Sequence, residues 1–190
     1  MRPPLLVAQN WPACETHLDP DGINLVIITL PEGINRIDAR TLARAAVLQI
    51  ARVLSTDTTL QLIESPSGPR LSDTRLQVSL SYAGNRLLIG LGPHQNLGVD
   101  LVKIDALPDI DALARLYLPA ASRLALARTR ENLRDGEFAS FWAQMEACCK
   151  ASGLPLAEIS AARELVYGRC KLFACQPIDG YRIAVAVSQS

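Results

Sequence analysis

Short apolar segments rich in β-branched residues occur together with longer segments of helical periodicity along this chain. The short segments predict β-strands at residues 24–30, 59–63, 76–80, 86–91, 97–104, 164–167, 171–175 and 181–187. The longer segments predict α-helices at residues 37–54, 110–117, 120–130 and 137–152. Because strands and helices are segregated instead of strictly alternating, the pattern favours an α+β fold over a doubly wound sheet.

One sequence pattern occurs twice. Residues 84–91 (GNRLLIGL) and 180–187 (GYRIAVAV) both read Gly-x-Arg followed by an apolar strand, and they start 96 residues apart, about half the chain. A duplicated fold with a pseudo-two-fold axis would explain the repeat. An ordinary hairpin arm has the same pattern, so both interpretations stay open at this point.

Composition limits the function classes. The 190 residues are 49% hydrophobic and 20% charged, which fits one large domain or two small halves sharing a core. Nineteen basic residues balance nineteen acidic ones, which argues against a general attraction to nucleic acid or anionic membrane. No apolar segment reaches the ~20 residues that span a bilayer, and the N-terminus is a poor secretion signal. We therefore expect a cytoplasmic protein that binds neither nucleic acid nor membrane.

The cysteines favour free thiols over disulfides. They are odd in number and lack CxxC spacing, which suits a reducing compartment; they are Cys14, Cys148, Cys149, Cys170 and Cys175. The histidines, His17 and His94, are far from the cysteine pairs in sequence, so a zinc site is not expected.

An aspartate interrupts a predicted strand. Asp100 lies within the apolar segment 97–104, where a buried carboxylate is costly unless it is paired or binds a metal. Strand alternation places Gly98 on the same face, and its missing side chain leaves room for a ligand beside the carboxylate. The sequence alone equally allows Asp100 to cap a loop or to pair with an arginine.

Two further segments carry candidate chemistry. Glu146 lies at the edge of the apolar face of the helix 137–152, where a carboxylate could bind a cation, although Glu146 and Lys150 also form the common exposed i,i+4 pair. Ser81 precedes a glycine turn whose amides could hold a phosphate. An ordinary hairpin is the alternative for that segment.

Together and in this order, these segments resemble the signatures of the 4'-phosphopantetheinyl transferase superfamily, of the Sfp type. Gly98-Val99-Asp100 resembles the central G-(V/I)-D motif, and residues 142–153 (WAQMEACCKASG) resemble (F/W)-x-x-K-E-(A/S)-x-x-K-x-x-G. Residues 68–70 (GPR) and 78–84 (VSLSYAG) are similar to the upstream G-K-P and F-N-x-S-H-S-G motifs. The resemblance extends from Arg36 to the C-terminus.

The resemblance implies two similar halves related by a pseudo-two-fold axis, each a small, mostly antiparallel sheet packed on a long helix. Residues 1–93 would form the N-terminal half, which contributes to coenzyme A binding. Residues 94–190 would form the half that carries the metal-binding carboxylates, with one cleft between the halves. Because the chain holds both halves, the resemblance implies a monomer.

The implied activity is transfer of the 4'-phosphopantetheine group of coenzyme A to a serine of an apo acyl or peptidyl carrier protein, with release of 3',5'-ADP. Asp100 and Glu146 would bind Mg²⁺, or Mn²⁺, and these two residues with Lys150 would be catalytic. Glu146 would help to deprotonate the serine, and Lys150 would stabilise the phosphate under attack. The residues implied in coenzyme A binding are Arg36, Arg40, Arg44, Gly68, Arg70, Ser81, Tyr82 and Lys150.

The chain departs from the family pattern at three positions. Met145 replaces the motif lysine before Glu146, Tyr82 replaces the motif histidine, and Val102 stands where a second acidic residue often follows the aspartate. One alternative is therefore a catalytically weak or inactive family member that binds coenzyme A or a carrier protein. A small α+β interaction module in which the motifs are coincidental is another.

Overall fold

The structure, a computed structural model, describes residues 5–12, 18–55, 57, 59–65, 68–73, 75–93 and 96–189. Within these ranges the chain is a mixed α+β protein with five α-helices and three sheets, which confirms the predicted fold class. The helices are α1 (Arg36–Leu54), α2 (Ile110–Tyr117), α3 (Ala120–Ala127), α4 (Arg134–Ala151) and α5 (Ala161–Gly168). The strands are β1 (Ala8–Asn10), β2 (Asn24–Thr29), β3 (Leu62–Ile63), β4 (Arg70–Leu71), β5 (Gln77–Ala83), β6 (Arg86–Gly92), β7 (Leu97–Lys103), β8 (Cys170–Phe173) and β9 (Tyr181–Ser188).

Two sheets make up most of the β structure. The first sheet has the strand order β1-β2-β6-β5, and the second sheet has the order β7-β9-β8. Every pairing within them is antiparallel except that of β1 with β2, which is parallel. Strands β3 and β4 form a separate two-stranded ribbon.

Helix α1 covers one face of the first sheet. Its N-cap is Asn35, whose side chain accepts hydrogen bonds from the backbone N–H groups of Ile37 and Asp38. Alternation along β2 turns Val26 and Ile28 toward the helix, where they join a buried cluster with the helical residues Ala43, Val47 and Ile50. Helix α1 therefore packs on the first sheet through these residues.

Helix α4 packs closely on the second sheet. Small residues of the helix, including Ala143 and Ala147, are fully buried and join a cluster with Ala184 and Ala186 of β9. On β7, a Cβ at Gly98 would lie 2.0 Å from the Ala147 carbonyl oxygen. The prediction that Gly98 leaves room for a ligand is therefore wrong, because the backbone of α4 fills that space.

A third apolar cluster joins the two sheets face to face. From the first sheet it takes residues of β2 and β6, and from the second sheet residues of β7 and β9. Gly90 of β6 permits the approach, since a Cβ there would lie 2.3 Å from Val99 Cγ1. The buried members are Leu25, Ile27, Leu88, Leu97, Val99, Leu101 and Val185.

Most predicted elements appear within a few residues of their predicted ends, but one is wrong in type. The strand predicted at residues 164–167 belongs to helix α5, whose N-cap Ser160 accepts a hydrogen bond from the Arg163 N–H. Helical geometry buries Tyr167, whose hydroxyl lies 3.2 Å from the Cys149 sulfur. Strands β1 and β4 were not predicted.

The cysteines within the described ranges, Cys148, Cys149, Cys170 and Cys175, are free thiols, as predicted. The predictions made for Cys14, His17 and His94 fall outside the described residues. Burial raises the pKa of the Cys148 thiol above its usual range and that of Cys175 to about 11. In the described part of the chain, no helix is both long enough and apolar enough to cross a bilayer.

Candidate active site

Asp100 is buried in the middle of β7 and is held by two donors. Only 2% of the residue is exposed. Its Oδ1 accepts a hydrogen bond of 2.7 Å from the Ser81 hydroxyl and one of 2.7 Å from the Lys150 ammonium. A buried carboxylate is stable only with such partners. The sequence left open whether Asp100 binds a metal or ligand, caps a loop or pairs with an arginine, and in the structure its cationic partner is a lysine.

Lys150 connects three elements. Its Nζ donates to the Leu80 carbonyl of β5 at 3.2 Å, to the Val99 carbonyl of β7 at 3.0 Å, and to Asp100 Oδ1. An ammonium has three N–H donors, and all three are used here. Lys150 is thus a part-buried cross-link between helix α4 and both sheets, and the exposed i,i+4 pair with Glu146 is not formed.

The two sheets meet at strands β5 and β7, and there the hydrogen bonds run from backbone N–H groups of β7 to serine side chains of β5 instead of between two backbones. The Ser79 hydroxyl accepts from the Val99 N–H at 3.0 Å, and the Ser81 hydroxyl accepts from the Leu101 N–H at 3.1 Å. We call Ser79, Ser81 and Lys150 the polar seam. Because buried backbone groups need partners, the polar seam ties β7 to β5.

Glu146 faces the same region from helix α4. Its Oε1 accepts a hydrogen bond of 2.7 Å from the Trp142 indole, one helical turn earlier. Burial raises the pKa of Glu146, and the negative charge of Asp100 raises it further, while the Trp142 hydrogen bond and the Lys150 charge oppose the change. The two carboxylates predicted to share a metal therefore lie close enough to interact electrostatically.

The two carboxylates line one cavity of about 430 Å³. Ser81, Tyr82 and Trp142 also line it. Mg²⁺ prefers oxygen ligands, and a cation between the two carboxylates would offset the repulsion between them. Among the described residues, no group of three or more His, Cys, Asp or Glu side chains could hold a metal ion. The side chains present fit a cation that takes two protein carboxylates and completes its shell with phosphate and water oxygens.

A second cavity, of about 350 Å³, adjoins the first through Tyr82. Arg40, Arg44 and Gly68 line it, as does Glu64, whose carboxylate binds the Arg44 guanidinium through two hydrogen bonds of 2.5 and 2.9 Å. This contact raises the pKa of Arg44. Two of the donors of Arg44 are consequently already engaged by a protein carboxylate.

A third cavity, of about 460 Å³, shares Gly68, Pro69 and Leu80 with the second and reaches Lys150. The three cavities together follow strand β5. Most of the predicted site residues line them, namely Arg40, Arg44, Gly68, Ser81, Tyr82, Asp100, Glu146 and Lys150. Arg36, the first residue of α1, and Arg70, in β4, are exposed and do not line these three cavities.

Sequence reasoning missed two side chains of the site. No hydrogen bond was predicted for Trp142, although its i,i+4 spacing to Glu146 is compatible with one. No sequence pattern indicated a role for Glu64, because its partner Arg44 lies 20 residues away in sequence. Burial also raises the pKa of Tyr82, so this replacement for the motif histidine stays neutral.

No model of a known protein family matches this chain, and a search of curated proteins finds no relative. Inferences about function therefore depend on the sequence motifs and on the geometry of these cavities.

Proposed function

We propose that this chain is a 4'-phosphopantetheinyl transferase of the Sfp type. The observation that carries the proposal is the meeting of Asp100 and Glu146, from a strand and a later helix, in one cavity. Those two positions are the carboxylates of the motifs that the sequence resembles. A cytoplasmic monomer that acts on coenzyme A and an apo carrier protein is part of the same proposal.

The arrangement of elements supports the two-fold relation that the resemblance implies. In each half, one strand precedes a long helix and an antiparallel pair follows later, giving the sheet orders β2-β6-β5 and β7-β9-β8. Asn85 and Tyr181, the second residues of the two Gly-x-Arg repeats, contact each other, with 3.4 Å between Tyr181 Oη and Asn85 Oδ1. Contact between equivalent positions is expected at a pseudo-two-fold axis.

The residues of the first cavity have distinct tasks in the proposed transfer. Asp100 and Glu146 would hold Mg²⁺, or Mn²⁺, through carboxylate oxygens, and the ion would neutralise charge on the pyrophosphate of coenzyme A. Glu146, directly or through water, accepts the proton of the carrier serine. The serine oxygen then bonds to the phosphorus of the phosphopantetheine group as the bond to 3',5'-ADP breaks.

The second and third cavities suit the nucleotide portion of coenzyme A. Arg40 and Arg44 are cations on a wall shared with Tyr82, and guanidinium groups bind phosphate well. Lys150 lines the third cavity but gives all three donors to the protein. A contact between Lys150 and phosphate therefore requires the ammonium to exchange one of these acceptors.

The test is to incubate the protein with several apo carrier proteins, coenzyme A and Mg²⁺, and to weigh the carriers by mass spectrometry. A mass gain of one phosphopantetheine group on a serine supports the proposal. The same mixture without divalent metal is the control. If no carrier gains mass while coenzyme A binds tightly, the protein is a binder instead of a transferase.

Two observations favour that second candidate, a weak or inactive member that binds coenzyme A or a carrier. Met145 is only 3% exposed and packs in the apolar cluster beneath α4, so nothing at this position replaces the motif lysine. In addition, the Arg44 guanidinium forms an ion pair with the Glu64 carboxylate, which competes with phosphate for the same donors. Absence of any coenzyme A binding would contradict both candidates and leave the unrelated α+β module.

Glu64→Gln is expected to tighten coenzyme A binding about two- to fivefold, as measured by isothermal titration calorimetry. The substitution frees the Arg44 guanidinium for phosphate, and the exposed pair that it breaks is worth little. Glu131→Gln is a matched control, because Glu131 is an exposed partner of Arg134 and does not line the three cavities. Unchanged or weaker binding by Glu64→Gln would exclude a direct contact between Arg44 and the phosphates.

A further inference from the structure

Each of the two carboxylates has one oxygen engaged by protein donors. Asp100 Oδ1 accepts from Ser81 and from Lys150, both at 2.7 Å. Glu146 Oε1 accepts from the Trp142 indole at 2.7 Å. Two strong donors occupy the favourable lone-pair directions of Oδ1, which leaves Oδ2 as the better ligand atom of Asp100.

We propose that Ser81 and Trp142 are positioning residues: each holds one oxygen of a carboxylate so that Asp100 and Glu146 each offer their other oxygen to a divalent cation. This inference rests on the metal-binding part of the proposed function. It gives Ser81 a different task from the phosphate contact that the sequence resemblance implies. Donors behind a ligating carboxylate set its orientation, and their removal costs metal affinity.

Ser81 is suited to this task because its hydroxyl is fixed at both ends. It accepts from the Leu101 N–H at 3.1 Å, which directs its own proton toward Asp100. The residue is only 5% exposed, so water does not compete for these bonds. The carboxylate of Asp100 is thereby held by the strand that faces it.

Trp142 is held by ring packing. Tyr117 meets the indole edge-on, with 5.4 Å between ring centroids and an interplanar angle of 60°, and Phe138 packs at 5.6 Å. The indole N–H therefore has a fixed direction before any ligand binds. One helical turn separates it from Glu146, so a helix alone brings donor and acceptor into register.

The test measures Mn²⁺ binding to the full chain without coenzyme A or carrier, using the electron paramagnetic resonance signal of free Mn²⁺. Ser81→Ala is expected to weaken Mn²⁺ binding about 10- to 100-fold. Ser79→Ala is the matched control, because Ser79 bonds the Val99 N–H in the same polar seam and has no bond to Asp100. It should lose similar stability and keep Mn²⁺ affinity within about twofold of the wild-type value.

A second pair of variants tests the other carboxylate and does not disturb the polar seam. Trp142→Phe keeps an aromatic ring and removes the donor, so Mn²⁺ affinity should again fall about 10-fold or more. Phe141→Leu is its control, since Phe141 belongs to the same helix and lines a separate cavity with Met145 and Tyr167. Its Mn²⁺ affinity should stay at the wild-type value.

The outcomes separate this inference from the proposed function. Weakened Mn²⁺ binding in Ser81→Ala and Trp142→Phe supports the positioning role even if no carrier is modified. Equal affinities in Ser81→Ala and Ser79→Ala overturn it, as does a wild-type chain that binds no Mn²⁺. If Ser81→Ala does not fold, Trp142→Phe decides, and an affinity equal to that of Phe141→Leu overturns the inference.

Discussion

Asp100→Asn is expected to reduce phosphopantetheine transfer on the order of 10²- to 10³-fold. The change keeps the size of the side chain and removes the charge that would hold the metal and balance Lys150. Preorganised charge of this kind typically contributes that factor to a catalytic rate. The rate is measured by mass spectrometry of the carrier at saturating Mg²⁺.

The same variant should also lose stability, for a separate reason. Removing one partner of a fully buried ion pair costs ~3–5 kcal/mol, because the other charge is left uncompensated. Lys150 is 31% exposed at its side chain and keeps two carbonyl acceptors, so a loss below that range is expected. Thermal unfolding therefore shows whether a slow variant is still folded at the assay temperature.

Asp105→Asn is the matched control for Asp100→Asn. Asp105 lines the same cavity and also pairs with a lysine, Lys103, at 2.8 Å, but that pair is exposed. An exposed pair contributes little to stability. Transfer by Asp105→Asn should stay near the wild-type rate. Near-normal transfer by Asp100→Asn would show that the carboxylate has only a structural role, as the partner of Ser81 and Lys150.

Local pattern predicted the elements that carry the site. The apolar run of β7 and the helical period of α4 are strong signals, and they placed Asp100 on a strand and Glu146 on a later helix. These two predictions were confirmed. What the pattern could not supply is the partner of each group, because Lys150 meets carbonyls of residues 70 and 51 positions earlier in sequence.

Local pattern reaches its limit at residues 164–167, which are glutamate, leucine, valine and tyrosine. Two of the four favour strands by propensity, yet the segment is helical in α5. A capping serine at Ser160 and the burial of Tyr167 beside Cys149 decide the outcome. Short apolar segments have no period long enough to separate the two structures, so tertiary contacts override propensity.

Gly98 shows why one residue type can carry two opposite predictions. A glycine beside a buried carboxylate indicates that something approaches the backbone closely, and the sequence does not say whether this is a ligand or another element. In the structure it is another element, the last turn of α4, through the backbone of Ala147 and Ala151. The motif glycine is thus explained by helix packing.

Gly98→Ala is therefore expected to destabilise the protein by about 3 kcal/mol, the upper end of the usual range for overpacking. The new Cβ would lie 2.0 Å from the Ala147 carbonyl oxygen and 2.5 Å from the Ala151 amide nitrogen. Both are backbone atoms, so no side chain can rotate away and the helix itself must move. For a chain of this size the loss corresponds to ~6–12 °C in Tm, measured by calorimetry.

The displacement also has a functional consequence, because α4 carries Glu146 and Lys150. Moving the helix away from β7 separates both side chains from Asp100, so Mn²⁺ affinity should fall together with Tm. Gly168→Ala is the control: this helical glycine has no atom within 4 Å of a new Cβ, and alanine favours a helix by up to ~1 kcal/mol. An unchanged Tm in Gly98→Ala would mean that α4 can move away from β7 without loss of stability. The close packing at Gly98 would then not be what holds Asp100 and Glu146 near each other.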